Sequence, residues 1–271
     1  MTIRSVWICL ALSLAACARA GGHASAAAEP TRMQLFLLAG QSNMAGRGVV
    51  DPRENVPHPR VLMLNRALAW VPAVDPVHYD KPTAAVGPGR GFALTLVARD
   101  STMRIGLVPA AVGGSPISSW EPGALDSATR THPYDDALVR ARAAFRDGTL
   151  RAILWHQGES DASPTLSVRY APRLRALISR FRTDLGVPEL PFLIGQLGHF
   201  DGRPWTEGMR RIDSVHRAIA ATTPKVAFVS SEGLRDKGDS LHFDAASARV
   251  LGERYAAAYL TLIEVARINR P

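Results

Sequence analysis

Cysteine is almost absent from this chain: Cys9 and Cys17 are the only two in 271 residues. The body that follows Cys17 has no thiol, which excludes disulfides, thiolate metal sites and a cysteine nucleophile from it. Lysine is nearly as scarce, since 29 of the 32 basic residues are arginine. The arginines fall singly, as at Arg140, Arg142, Arg146, Arg173, Arg175, Arg180 and Arg182, with no clustered basic run. A nucleic-acid-binding surface needs a clustered basic face, so nucleic acid is not expected as a partner and solvated helix faces are expected instead. The apolar run from Val6 to Ala16 is too short to cross a bilayer comfortably. Neither an internal repeat nor a second-domain linker is evident. With 46% hydrophobic and 21% charged residues, the remainder reads as one large α/β domain.

Arg4 ahead of that apolar run reads as a secretory signal. The run ends in Leu14-Ala15-Ala16-Cys17, which resembles the bacterial lipobox, where the signal is cut before the cysteine and the thioether carries a diacylglycerol. Residues 1–16 are thus expected to be a signal peptide, Cys17 a lipidation site, 17–31 a flexible tether and 32–271 the folded domain. The implied location is the bacterial cell envelope, with the membrane as a partner through Cys17. The alternative is a soluble export signal cut near Ala20 or Ala28, giving a freely secreted protein.

Beyond the tether, short apolar runs alternate with longer amphipathic stretches, the pattern of parallel strands joined by crossover helices. Strands are predicted over Gln34–Ala39, Val61–Leu64, Ile105–Ala110, Ala152–Trp155, Pro191–Gln196 and Val226–Ser230. Helices are predicted over Gly91–Arg99, Tyr134–Arg146, Thr165–Leu185, Thr206–Ala221 and Ala245–Arg267. Right-handed crossovers place helices on both faces of one open sheet, with chemistry in the loops after the carboxyl ends of the strands.

The first such loop is Gly40-Gln41-Ser42-Asn43-Met44. Gly40 permits a sharp turn, which lifts the Ser42 hydroxyl to the sheet edge and leaves the Ser42 backbone N–H free to face an oxyanion. The same segment is equally compatible with Ser42 as a plain helix N-cap. A serine needs a general base, and Asp239-Ser240-Leu241-His242 offers an imidazole with a carboxylate three residues before it. Two more loops carry groups suited to a developing negative charge: Gly113-Gly114-Ser115, through a backbone N–H, and His156-Gln157-Gly158-Glu159-Ser160, through the Gln157 amide. Glu159 and Asp161 also raise a metal site or a paired-carboxylate glycosidase, but no second acidic or histidine cluster at a recognisable spacing accompanies them. Support of the loop, together with Gln41 and Gly113, is the role expected of these residues, and no metal or organic cofactor is expected.

These blocks, closed by Phe243 after His242, resemble carbohydrate esterase family six and the sialate O-acetylesterase domain of the SGNH-hydrolase superfamily. The resemblance runs in order from Leu35 to Tyr259. It implies a three-layer α/β/α sandwich, flavodoxin-like, with a central parallel sheet of about five strands. It also implies a triad of Ser42, His242 and Asp239, with Ser42, Gly114 and Gln157 forming the oxyanion hole. Many wider relatives have asparagine where this chain has Gln157, as is usual for this branch. Single-domain members of about this length look like acetylxylan esterases, so the expected substrate is an acetylated poly- or oligosaccharide. The alternatives are a sialate O-acetylesterase, a lipase- or thioesterase-type acyl hydrolase, and an inactive carbohydrate-binding lipoprotein. Trp120, Trp155, Phe200 and Trp205 lie in or near the loops of the active face, where each is a candidate either for stacking on a sugar or for packing.

Overall fold

The computed structural model describes residues 32–268. The expected signal peptide, Cys17 and the tether over 17–31 lie outside the described residues.

The apolar runs become β1 (Met33–Gly40), β2 (Val61–Leu64), β3 (Trp70–Pro72), β4 (Ile105–Pro109), β5 (Gly148–His156), β6 (Phe192–Gly195) and β7 (Val226–Val229). They form one sheet of seven strands rather than about five, in the order β3-β2-β4-β1-β5-β6-β7. Every pairing is parallel except β2 with the edge strand β3, which is antiparallel. β3 has no clear sequence signal because it is three residues long and includes Pro72, tolerable only where a ladder hydrogen bond is dispensable.

Seven α-helices among the described residues accompany the strands: α1 (Ser42–Ala45), α2 (Pro88–Arg99), α3 (Pro133–Ala144), α4 (Pro164–Ser167), α5 (Tyr170–Asp184), α6 (Glu207–Thr222) and α7 (Ala245–Ile268). The stretch predicted as one helix from Thr165 is two, because Pro172 lacks the N–H that a continuous helix would bond backward and its ring clashes with the preceding turn. Pro172 is accepted in the first turn of α5, where that N–H would be an orphan in any case. β5 starts four residues before the expected Ala152, since Gly148 and Leu150 point inward while Thr149 and Arg151 point out, a period-two pattern that only pairing with β1 selects.

Alternation along β1 builds two cores. Leu35, Leu37 and Ala39 pack with buried side chains of α3, α5 and α6, including Ala141, Leu174 and Ile212. Phe36 and Leu38 pack on the other face with Phe92 of α2 and Leu251 and Tyr255 of α7. The three-layer sandwich implied by the resemblance is therefore present.

Arg140 is not on a solvated face. It is 9% exposed, and its guanidinium donates to the carbonyls of Pro109 at 2.6 Å and Leu64 at 2.6 Å. A guanidinium tolerates burial when its donors are satisfied, and here it laces α3 to the ends of β4 and β2.

One core group makes stability depend on pH. His216 is fully buried against Tyr170, with its Nε2 3.1 Å from the phenol oxygen. Burial, helped by nearby His156, pushes its pKa down to about 3, whereas an unfolded histidine titrates near 6.5. Below that pH the unfolded chain binds a proton that the folded chain refuses, so stability is lost as pH falls from about 6.5 toward 3. His216→Phe is expected to flatten this acid limb by about 1.4 kcal/mol per pH unit between pH 6 and 4. Chemical denaturation of both proteins across that range measures the difference; equal slopes would mean that His216 titrates in the fold as it does unfolded.

Candidate active site

β1 and β5 lie side by side at the centre of the sheet and deliver their loops to one edge. Gly40 ends β1 with φ +123°, a conformation that side chains rarely adopt. It also lies against β5, where an added Cβ would stand 2.2 Å from the carbonyl oxygen of His156. The turn is fixed by Gln41 N–H donating to that same carbonyl at 2.8 Å. Ser42 then opens α1. The cap position belongs to Gln41 and no side chain caps the helix, so the reading of Ser42 as a plain N-cap is set aside.

The Ser42 hydroxyl is engaged elsewhere: its Oγ lies 3.0 Å from Nε2 of His242, across 200 residues of chain. Nδ1 of His242 lies 2.8 Å from Oδ2 of Asp239. Asp239 is held by its own loop, since its Oδ1 accepts the backbone N–H of Leu241 at 3.0 Å and of His242 at 2.8 Å. Ser240, at φ +53°, takes the left-handed turn that lets the carboxylate fold back over these groups. Lys237, which carries no motif of its own, puts its Nζ 3.0 Å from the same Oδ2. Partial burial opposes ionisation of Asp239, but hydrogen bonds from His242, Lys237 and Leu241 outweigh it and hold the carboxyl well below the usual range. An ionised Asp239 fixes His242 with its proton on Nδ1, leaving Nε2 as the acceptor that faces Ser42.

The loops holding Gly113-Gly114 and Gln157 both lie near Ser42, but their donors are used differently. Gly113 N–H is taken by Oδ2 of Asp80 at 2.8 Å, and Asp80 is fixed in turn by Arg47 at 2.9 Å. Among the described residues nothing accepts the N–H of Ser42 or of Gly114. Gly114, at φ +83°, is tied down through its carbonyl by the Ser160 hydroxyl at 2.9 Å.

Gln157 is a correction. Its side chain is fully buried, and its Nε2 faces Oδ2 of Asp161 at 2.6 Å, the carbonyl of Ser115 at 3.1 Å and Oε1 of Gln41 at 3.2 Å. An ionisable carboxylate at that distance is the strongest acceptor available, so the amide braces the loops beneath the oxyanion position instead of donating into it. The sequence does hold a signal for this: Gln157 and Asp161 are four residues apart on one tight turn.

Of the residues expected to support the loops, Gln41 accepts from Gln157 at 3.2 Å and Gly113 donates to Asp80 at 2.8 Å. The Glu159 side chain is 7% exposed and accepts from Nδ2 of Asn43 at 2.6 Å. Asp80 and Asn43 carry no sequence signal for these roles, because their partners are distant in the chain. Of the four aromatics named for sugar stacking, Trp120 and Trp155 are fully buried in an edge-to-face pair 5.0 Å apart and Phe200 is 5% exposed. Only Trp205 is partly open, with its indole N–H donating to the carbonyl of Gly198 at 2.8 Å.

A cleft of about 330 Å³ lies over the serine, with Gly114, Lys81, Arg203 and Leu241 among its walls. Among the described residues no group of three or more metal-ligating side chains occurs, and no helix is long and apolar enough to cross a membrane.

A serine hydroxyl bonded to an imidazole, a carboxylate behind that ring and two N–H groups with no acceptor among the described residues form an arrangement suited to acyl transfer. Comparison with known proteins agrees in class. The sequence profile of the carbohydrate esterase, sialic acid-specific acetylesterase family matches residues 32–261. The chain belongs to this family. A probable carbohydrate esterase of Arabidopsis thaliana is 35% identical to this carbohydrate esterase over 251 residues, covering 84% of this chain and 90% of the relative. A crystal structure of an Arabidopsis thaliana protein superposes with a TM-score of 0.74 at 32% identity, covering 85% of this chain and 98% of the other. NanS, at 19% identity, shares the fold with a TM-score of 0.71 over 87% of this chain and 99% of its own. The esterase is thus of the SGNH-hydrolase type in fold.

Proposed function

We propose that this esterase removes O-acetyl groups from a carbohydrate through an acyl-enzyme on Ser42. The observation that carries the reading is the 3.0 Å approach of Ser42 Oγ to His242 Nε2, with Asp239 behind the ring. Ser42 Oγ attacks the acetyl carbonyl as its proton passes to Nε2 of His242, and Asp239 supports the imidazolium that results. The oxyanion sits between the N–H groups of Ser42 and Gly114; losing one such donor costs roughly 2.7 to 4 kcal/mol in well-studied enzymes. His242 then protonates the departing sugar alkoxide. Water, deprotonated by His242, attacks the acetyl-enzyme and releases acetate with Ser42 restored.

Among the described residues, Leu241 is the only large apolar side chain in the cleft wall beside the serine, so a long acyl chain would gain little burial there. Turnover of p-nitrophenyl esters is expected to fall at least about tenfold from acetate to octanoate, since each added methylene must find apolar burial to help. A preference rising beyond about eight carbons would favour the lipase-type alternative.

One observation bears on the sugar. Lys81 and Arg203 line the cleft, and among the described residues neither forms an ion pair. Two cations without a close ion-pair partner stand against one carboxylate, Glu159, in the same wall, and this positive balance beside the nucleophile suits a carboxylate-bearing sugar, which favours the sialate-type reading over a neutral xylan. Acetate release from an O-acetylated sialic acid, compared with acetylated xylan at low and high salt, tests this. Faster, salt-sensitive turnover of the acidic sugar is expected, and faster, salt-insensitive turnover of xylan would reverse the assignment.

We also infer export and membrane tethering through Cys17, supported by Leu14-Ala15-Ala16-Cys17 after the short apolar run. Cys17→Ser should move the protein from the membrane to the soluble fraction; unchanged partition would refute the anchor.

A further inference from the structure

We propose that Asn43 and Glu159 form a clamp that holds the His242 loop at bonding distance from Ser42, which makes both of them positioning residues. The inference rests on Ser42, His242 and Asp239 acting as the triad.

Asn43 follows Ser42 in α1 and is 3% exposed. Its Nδ2 donates to the carbonyl of Leu241 at 3.1 Å, and its Oδ1 accepts the backbone N–H of Phe243 at 3.2 Å. One amide therefore grips the chain on both sides of His242, as a neighbouring strand would. The base loop is thereby tied to the helix turn that carries the nucleophile, although 200 residues separate them in sequence.

Glu159 fixes which way the amide points. Its Oε1 accepts from Nδ2 of Asn43 at 2.6 Å, beside the carbonyl of Leu241 that accepts from the same nitrogen. Turning the amide over would face Oδ1 toward two acceptors, Glu159 and the carbonyl of Leu241, and Nδ2 toward a donor, the N–H of Phe243. All three contacts would fail together, so one orientation survives. Glu159 has no comparable structural employment: among the described residues its Oε2 is buried with no protein partner, and Nε2 of His156, 3.8 Å from Oε1, is likewise unpartnered. Burial pushes the carboxyl's pKa up, with the Asn43 bond opposing. Burying a carboxylate that makes a single side-chain hydrogen bond is costly to the fold, and the contact that retains it here orients the base.

The test uses the full chain and p-nitrophenyl acetate. A displacement of about 1 Å in a catalytic group costs on the order of 100-fold. Asn43→Ala and Glu159→Ala are each expected to lower kcat by about that factor, with KM within about threefold of wild type. Glu159→Gln keeps an acceptor oxygen for Asn43 and should recover most of the loss, about tenfold or more over Glu159→Ala. The double alanine variant should be no worse than either single, because both remove one interaction. A role confined to folding predicts a lower Tm with wild-type kcat in the folded protein, and that result overturns the clamp. So does a Glu159→Gln as slow as Glu159→Ala, which would assign the effect to charge. If Asn43→Ala does not fold, Asn43→Asp keeps the acceptor for Phe243, loses the donors and carries the same expectation. His242→Ala separates the two readings. If it turns over normally, the triad fails; if it is inactive while the Asn43 and Glu159 variants match wild type, only the clamp fails.

Discussion

Ser42→Ala is expected to lower kcat for acetyl-ester hydrolysis by roughly 10⁴- to 10⁶-fold, the range seen when a triad nucleophile is removed. The Ser42 side chain makes its hydrogen bond to His242 and to nothing else among the described residues. The fold therefore loses about one hydrogen bond, and Tm should move by about 3 °C or less. His242→Ala should fall in the same range, and the double variant should be no slower than the worse single one, since members of a triad act as a unit. Steady-state kinetics together with a thermal melt check all three. A Ser42→Ala protein that melts like wild type and still turns over at a wild-type rate would remove the acyl-enzyme mechanism altogether.

Gly40→Ala is expected to destroy stability, not activity alone. The new Cβ would need φ +123° and would meet the backbone of β5 at three atoms, with His156 O at 2.2 Å, C at 2.7 Å and N at 2.8 Å. Backbone cannot rotate out of the way as a side-chain tip can, so relief requires parting the two central strands. A loss of about 4 kcal/mol or more is expected, which places the variant among the most damaging single substitutions. Gly186→Ala is the control. That glycine also has positive φ, at +68°, but nothing lies within 4 Å of its added Cβ, so only the conformational cost of about 1 to 2 kcal/mol applies. Denaturant midpoints of the two variants should differ widely; similar midpoints would show that β1 and β5 can separate cheaply at this turn.

The contrast between those two glycines also marks what a sequence can reveal. Gly40 is recognisable as a turn because a glycine directly after a strand is a local event. Its collision with His156 is invisible there, being a contact between segments more than a hundred residues apart. The same boundary runs through the site. Asp239 and His242 pair on a three-residue spacing, which one loop satisfies by itself. Asp80 gives no such sign because its partner, the N–H of Gly113, lies 33 residues away. Gln157 is assigned the wrong hydrogen bonds from sequence although its partner Asp161 is local, since a free amide and a committed one look alike until the carboxylate is placed. Among the strands, β3 and the first half of β5 escape detection because three residues, or an alternating stretch holding Arg151, become strand only through the neighbour they pair with.

By itself, the sequence determined the alternation of strands and helices, a serine after the first strand with an Asp-x-x-His pair far along the chain, and the family to which their blocks belong. Those depend on periodicity and short spacing, which the backbone enforces locally. The tertiary structure alone decided that Ser42 meets His242, that among the described residues nothing accepts the N–H of Ser42 or Gly114 while the Gln157 amide is committed, and that Asn43 spans the two loops. Each of these is a contact between distant segments, set by how two helix layers register on one sheet and therefore written in no single stretch of chain.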